Sequence, residues 1–102
     1  MAVEFGVHAP PGPVAPSGFT VIGRVTLGSV RVGDVFTEAE GPRTRWNEAS
    51  TTVKPVRLRV VEARLWQLLQ DEIDAGYSAE LLLDGHGRDA LQERVLIRHH
   101  SR

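Results

Sequence analysis

Cysteine is absent from this 102-residue chain, lysine and methionine occur once each, and aromatic residues make up only 6% of it. Without cysteine there is no disulfide, no thiolate nucleophile and no sulfur-ligated zinc, a composition that fits a reducing compartment. No apolar run approaches the roughly 18 residues that a membrane-spanning helix needs. The N-terminus lacks the basic start and apolar stretch of a signal peptide, so the expected location is the cytoplasm. An excess of charge is missing as well. Twelve Lys or Arg against thirteen Asp or Glu leave a net charge of -1, which excludes a global field that draws a protein onto nucleic acid and leaves room only for a local RNA contact. The single lysine, Lys54, precedes Pro55 rather than a Ser or Thr. A Gly-x-x-x-x-Gly-Lys-Ser/Thr loop to cradle phosphates is therefore lacking, and nucleotide binding of that kind is not expected.

What is present is an ordinary globular composition, 41% hydrophobic and 25% charged, at a length that supports one domain with a hydrophobic core. Eleven of the twelve cations are arginine. Arginine suits planar hydrogen bonding to carboxylates or phosphates, although a GC-rich genome gives the same bias.

The pattern along the chain is that of strands. Ala2 to His8 alternates as a first strand, and the Pro-rich stretch from Ala9 to Gly18 reads as a loop. Phe19 to Thr26 and Val30 to Glu38 flank a Leu27-Gly28-Ser29 turn as a hairpin, with a second turn at Gly33-Asp34. The polar segment 38–55 reads as an irregular loop. Val56 to Ala63 and Tyr77 to Leu83 alternate again, and a last strand covers Val95 to His99. Between them, Leu65 to Asp74 has near-helical apolar spacing and predicts a short helical turn or packed loop, and Asp89 to Glu93 one further helical turn. About seven short strands without a long helix predict an all-β fold, a small closed antiparallel β-barrel. Val21, Val25, Val32, Val60, Leu81 and Val95 are its expected core positions.

Three stretches, in this order, carry a family resemblance. GRVTLGSVRVGDVF is similar to the GRV-x-x-G-x-V-x-V-G-D hairpin of the second domain of elongation factor Tu and its relatives among the translational GTPases. VRLRVVEARLWQLLQDEIDAGYSAELLLDG resembles that domain's strand ending in Val-Glu, its variable connection, an Ala-Gly turn and a Leu-Leu-Leu strand closed by Gly. RDALQERVLI resembles the closing Arg-rich turn and Val-Leu strand, without the Gly that usually precedes that strand. The ordered set covers nearly the whole chain and implies the translation-factor domain 2 barrel, here without its GTPase domain. In the family this barrel holds the aminoacyl end of tRNA, contacts the small ribosomal subunit and packs on the GTPase domain. By position, Glu62 matches the Glu beside the terminal adenosine and Phe5 an aromatic of the first strand. Ser78 stands where the family has Asn after the Ala-Gly turn, and Leu65 replaces a basic residue.

The candidate binding residues are Arg43, Arg45, Trp46, Glu62, Trp66 and Ser78. Arg43, Arg45 and Trp46 combine two phosphate-seeking cations with an aromatic that stacks, which is how single-stranded RNA is gripped, although Glu38, Glu40 and Glu48 flank them. Glu62 shares parity with Val56, Leu58 and Val60, which points inward at the barrel rim, where a carboxylate needs hydrogen-bond partners. The expectation is that the strand frays before it and leaves the side chain exposed. Trp66 either caps the barrel or is exposed. His8, His86, His99 and His100 lack metal-ligand spacing and read as solvated, as do Asp71, Glu72 and Asp74. No serine has an elbow context. Catalysis, cofactors and metals are not expected. Two functions remain, a module facing RNA or the ribosome and a module that binds a protein partner.

Overall fold

The computed structural model describes residues 1–100. Nine strands follow one another: β1 (Ala2–Val7), β2 (Phe19–Leu27), β3 (Ser29–Arg31), β4 (Val35–Glu40), β5 (Val53–Leu65), β6 (Leu68–Gln70), β7 (Glu72–Asp74), β8 (Ser78–His86) and β9 (Leu96–His100). The helical content of the described residues is one 3-10 turn, Arg88–Ala90. Among the described residues no helix is long and apolar enough to cross a membrane.

Six strands close on themselves in the order β4-β9-β1-β2-β8-β5, with β5 returning to β4, and every pairing is antiparallel. Closure pairs both sides of each ring strand and removes the open edges that a flat sheet of the same strands presents. Alternation along the strands then sends one set of side chains inward. Phe5, Phe36, Leu58, Leu81, Leu83 and Ile97 are wholly buried, together with Val21, Val25, Val60 and Val95 of the expected core. Each such aliphatic or aromatic side chain contributes about 1.5–3 kcal/mol of transfer free energy.

Both mouths of the barrel are covered. At one, β3 pairs with β7, and the opposed Val30 and Ile73 are buried with the core. At the other, the Arg88 guanidinium lies 5.7 Å from the Phe19 ring centroid and donates to the Gly12 carbonyl, tying down the Pro-rich loop.

Several expectations change. The strands flanking Gly28 do not form a hairpin with each other: β2 pairs with β1 and β8, whereas β3 pairs with β7. The expected strand Val30 to Glu38 is broken at Val32–Asp34, where Gly33 has φ 98 and the Asp34 carboxylate accepts the Arg31 N–H at 2.9 Å. That break destroys parity, so Val32 is 45% exposed and Val30 takes the core position. The loop expected over 38–55 is shorter, because β4 runs to Glu40 and β5 starts at Val53. Leu65 to Asp74 is not helical. Trp66 and Gln67 take left-handed conformations, φ 55 and 68, and form the two-residue turn between β5 and β6. The 3-10 turn begins one residue before the expected helical turn and stops at Ala90.

Candidate functional site

The outer face of β1, β2, β8 and β5 carries the site. Cross-strand register sets its side chains in rungs: Gly6, Arg24 and Ser78 form one, Ile22, Glu80 and Arg64 the next, Thr20, Leu82 and Glu62 the third. A β-bulge in β5 between Val60 and Glu62 inserts one residue and reverses parity. Glu62 therefore points outward although the strand does not fray before it. Its carboxylate is half-exposed and pairs with Arg64 at 3.3 Å.

Beyond the second rung, the β5–β6 hairpin projects past the ring. Trp66 is 87% exposed, and Leu68 and Leu69 follow it at 65% and 62%. Trp66, Leu65 and Arg64 wall a groove of about 500 Å³ whose other side is Ile22, Tyr77, Ser78 and Glu80. A second hollow of about 400 Å³ adjoins it at Gly76 and is lined by His8, Arg24 and Trp46. Arg24 Nε donates to the Gly76 carbonyl at 3.1 Å and marks the boundary between the two. Charges on this face balance, with Arg24 and Arg64 beside Glu62 and Glu80.

Of the residues expected to act, Trp66 and Ser78 line the same groove. Glu62 lies four positions along β8 from Ser78, since it pairs with Leu82, a separation of roughly 13 Å at strand rise. Glu62 and Ser78, both singled out through the family resemblance, are therefore not brought together. Phe5 is core, with no exposed surface. Ile22, Tyr77, Leu68 and Leu69 were missed, although an isoleucine on the polar face of a strand was a visible signal.

Arg43, Arg45 and Trp46 stay on one loop, where Arg43 Nη1 donates to the Trp46 carbonyl at 2.7 Å, but their side chains are differently engaged. Glu40 is 4% exposed, and its carboxylate accepts hydrogen bonds from Arg43 Nε at 2.6 Å, the Ser50 N–H at 2.9 Å and Arg98 Nη2. Those contacts, the Arg43 hydrogen bond first, overcome the opposing effect of burial and lower the Glu40 pKa to about 2. Arg98 pairs in addition with Glu4 and Glu38, each at 3.3 Å. Arg43 is thus held within the fold by Glu40 and the Trp46 carbonyl, with little of its side chain exposed. Trp46 packs on the backbone of Gly6 and stands edge-on to His8 at 6.0 Å, and Arg45 alone of the three stays exposed without a partner among the described residues. His99 departs from the solvated tail expected of it. It is buried against the Phe36 ring at 5.5 Å, with Nε2 3.1 Å from the Asp34 carboxylate.

These features define a class, a small closed β-barrel with one apolar groove on its outer face. The fold matches 66 chains of solved structures. One is the crystal structure of translation elongation factor SelB from Methanococcus maripaludis in its apo form, with a TM-score of 0.70 and 15% identity over 96% of this chain and 18% of that one. At that identity the likeness is one of fold, and the chain spans 18% of the factor's length. The translation-factor barrel implied by the sequence resemblance is the fold found. No family model matches the chain, and no curated protein matches it.

Proposed function

We propose that this chain is a non-catalytic, cytoplasmic binding module of translation-factor architecture that docks a component of the translation machinery, a protein, through the groove and the β5–β6 hairpin. One observation carries this reading. In a barrel with a closely buried core, Trp66, Tyr77 and Ile22 remain exposed around one groove, and Leu68 and Leu69 are exposed next to Trp66 on the hairpin that walls it. Aromatic and large aliphatic groups gathered in this way are what protein interfaces use as anchors.

The chemistry favours an extended polypeptide. β6 has a strand neighbour only on its β5 side. With Leu65 and Leu68 closing the two-residue turn, antiparallel alternation turns the Leu69 N–H and C=O toward the open edge, where a strand from a partner adds. The balanced charges of the face give a polyanion no track to follow. The likeness to SelB over 96% of the chain supports a translation component as the partner.

Affinity capture from native lysate, with ribonuclease and salt as variables, tests the reading. The expected result is one discrete protein of the translation apparatus, retained after ribonuclease and at raised salt, and lost from Trp66→Ala and Leu69→Ser variants. Release by ribonuclease, or equal retention by the variants, contradicts it.

A further inference from the structure

Arginines in this molecule are engaged almost throughout. Arg24, Arg88 and Arg94 donate to backbone carbonyls, and Arg31, Arg43, Arg64 and Arg98 pair with carboxylates. Among the described residues Arg45, Arg57 and Arg59 have no such partner, and the last two stand together. They occupy alternate positions of β5 and so share its outer face, both exposed. His86 lies directly across the ladder from Arg57. These three side chains, with Val35, Asp84 and Gly85, line a cleft of about 290 Å³.

We propose that Arg57, Arg59 and His86 form a binding site for a phosphate group. The cleft lies at the opposite end of the β5–β8 ladder from the groove. Arg64 stands seven positions along β5 from Arg57, which is roughly 20 Å of strand. Its backbone is fixed. Gly85 has φ 134, and a Cβ there collides with the Arg57 carbonyl oxygen, so only glycine lets β8 approach β5 closely enough to hold His86 opposite Arg57. Two planar guanidinium forks and an imidazole present several N–H donors to one anion, the arrangement that recognises phosphate oxygens. The cleft is too small for a whole nucleotide to be enclosed, so the phosphate is the group recognised. Asp84 opposes Arg59 across the ladder, without an ion pair to it among the described residues. It is the carboxylate of the cleft and weakens anion binding. Phosphates of a nucleic-acid backbone and a free phosphomonoester share this chemistry.

Three probes distinguish them when titrated into isotope-labelled protein at fixed ionic strength: a single-stranded RNA decamer, adenosine monophosphate and inorganic phosphate. The site predicts saturable shifts of the Arg57 and Arg59 Nε and His86 ring signals. Arg57→Ala with Arg59→Ala weakens binding at least tenfold, Asp84→Asn tightens it, and Trp66→Ala leaves it unchanged. If the RNA binds far more tightly than the small probes and the double variant lowers its salt slope by about 1.4, roughly 0.7 for each contact on a single strand, a nucleic-acid backbone is the source. Equal binding of monophosphate and RNA makes it a free phosphomonoester. Identical shifts with chloride, an adventitious ion only, overturn the proposal, as does affinity unmoved in a double variant whose melting curve matches wild type. His86→Ala gives an independent readout should the double variant fail to fold.

Discussion

Glu40 shows how one side chain decides both a site and a stability. Its charge is satisfied by Arg43 and Arg98 and by the Ser50 N–H, and that capture removes Arg43 from the surface the sequence suggested for RNA. The folded carboxyl holds its proton more weakly than the unfolded one, with a pKa of about 2 against 4.5. The unfolded chain therefore binds the extra proton as pH falls. The resulting stabilisation, about 3 kcal/mol, is complete above pH 4.5 and is lost progressively between 4.5 and 2. Denaturant unfolding at pH 7, 4 and 3 should show this loss. Glu40→Gln should be less stable at pH 7 by about 3 kcal/mol, because two guanidinium groups lose a buried, charged partner, and its stability should change less over that range. Phe5 gives a contrast. The family resemblance matches it to an aromatic of the first strand, and it is wholly buried, so Phe5→Ala should cost about 3–5 kcal/mol in unfolding experiments and leave partner affinity per folded molecule unchanged.

At the scale of elements, the ring strands were legible and the hairpins were not. Val21, Val25, Val60 and Leu81 sit in strands long enough for period-two alternation to declare itself, and all are buried. Val32 misled because a three-residue strand followed by a turn carries no reliable parity. The bulge at Val61 has no local sequence signal, so the exposure of Glu62 was expected from fraying of the strand when a change of parity within it is the cause. Trp66 and Gln67 were opaque for another reason. Two-residue hairpin turns of this kind favour Asn-Gly, and neither residue announces a positive φ. That choice is itself informative, since a bulky aromatic in the left-handed region costs about 1–2 kcal/mol. Trp66→Asn with Gln67→Gly should raise the midpoint of thermal unfolding while abolishing capture of the partner. A loss of stability in that variant would show that the Trp66 ring supports the fold instead of serving as an anchor.

For the molecule as a whole, closure of six strands explains why so ordered a set of short motifs is readable over 102 residues. Each landmark fixes a turn that the barrel needs, and the likeness to the SelB barrel follows from that shared requirement at 15% identity. The proposed docking surface was harder to read, because it is assembled from β2, the β5–β6 hairpin and the start of β8, and no sequence window contains Ile22, Trp66 and Tyr77 together. Its placement is best tested by site-specific photocrosslinking in living cells. A benzophenone side chain is placed at Leu69 in the hairpin or at Thr37 on β4, across the ring from the groove strand β2. The account predicts a single ribonuclease-resistant protein adduct from Leu69, none from Thr37, and loss of the Leu69 adduct when Tyr77→Ala or Ile22→Ser is added. Adducts from Thr37 alone, or an adduct from Leu69 that ribonuclease degrades, would contradict it.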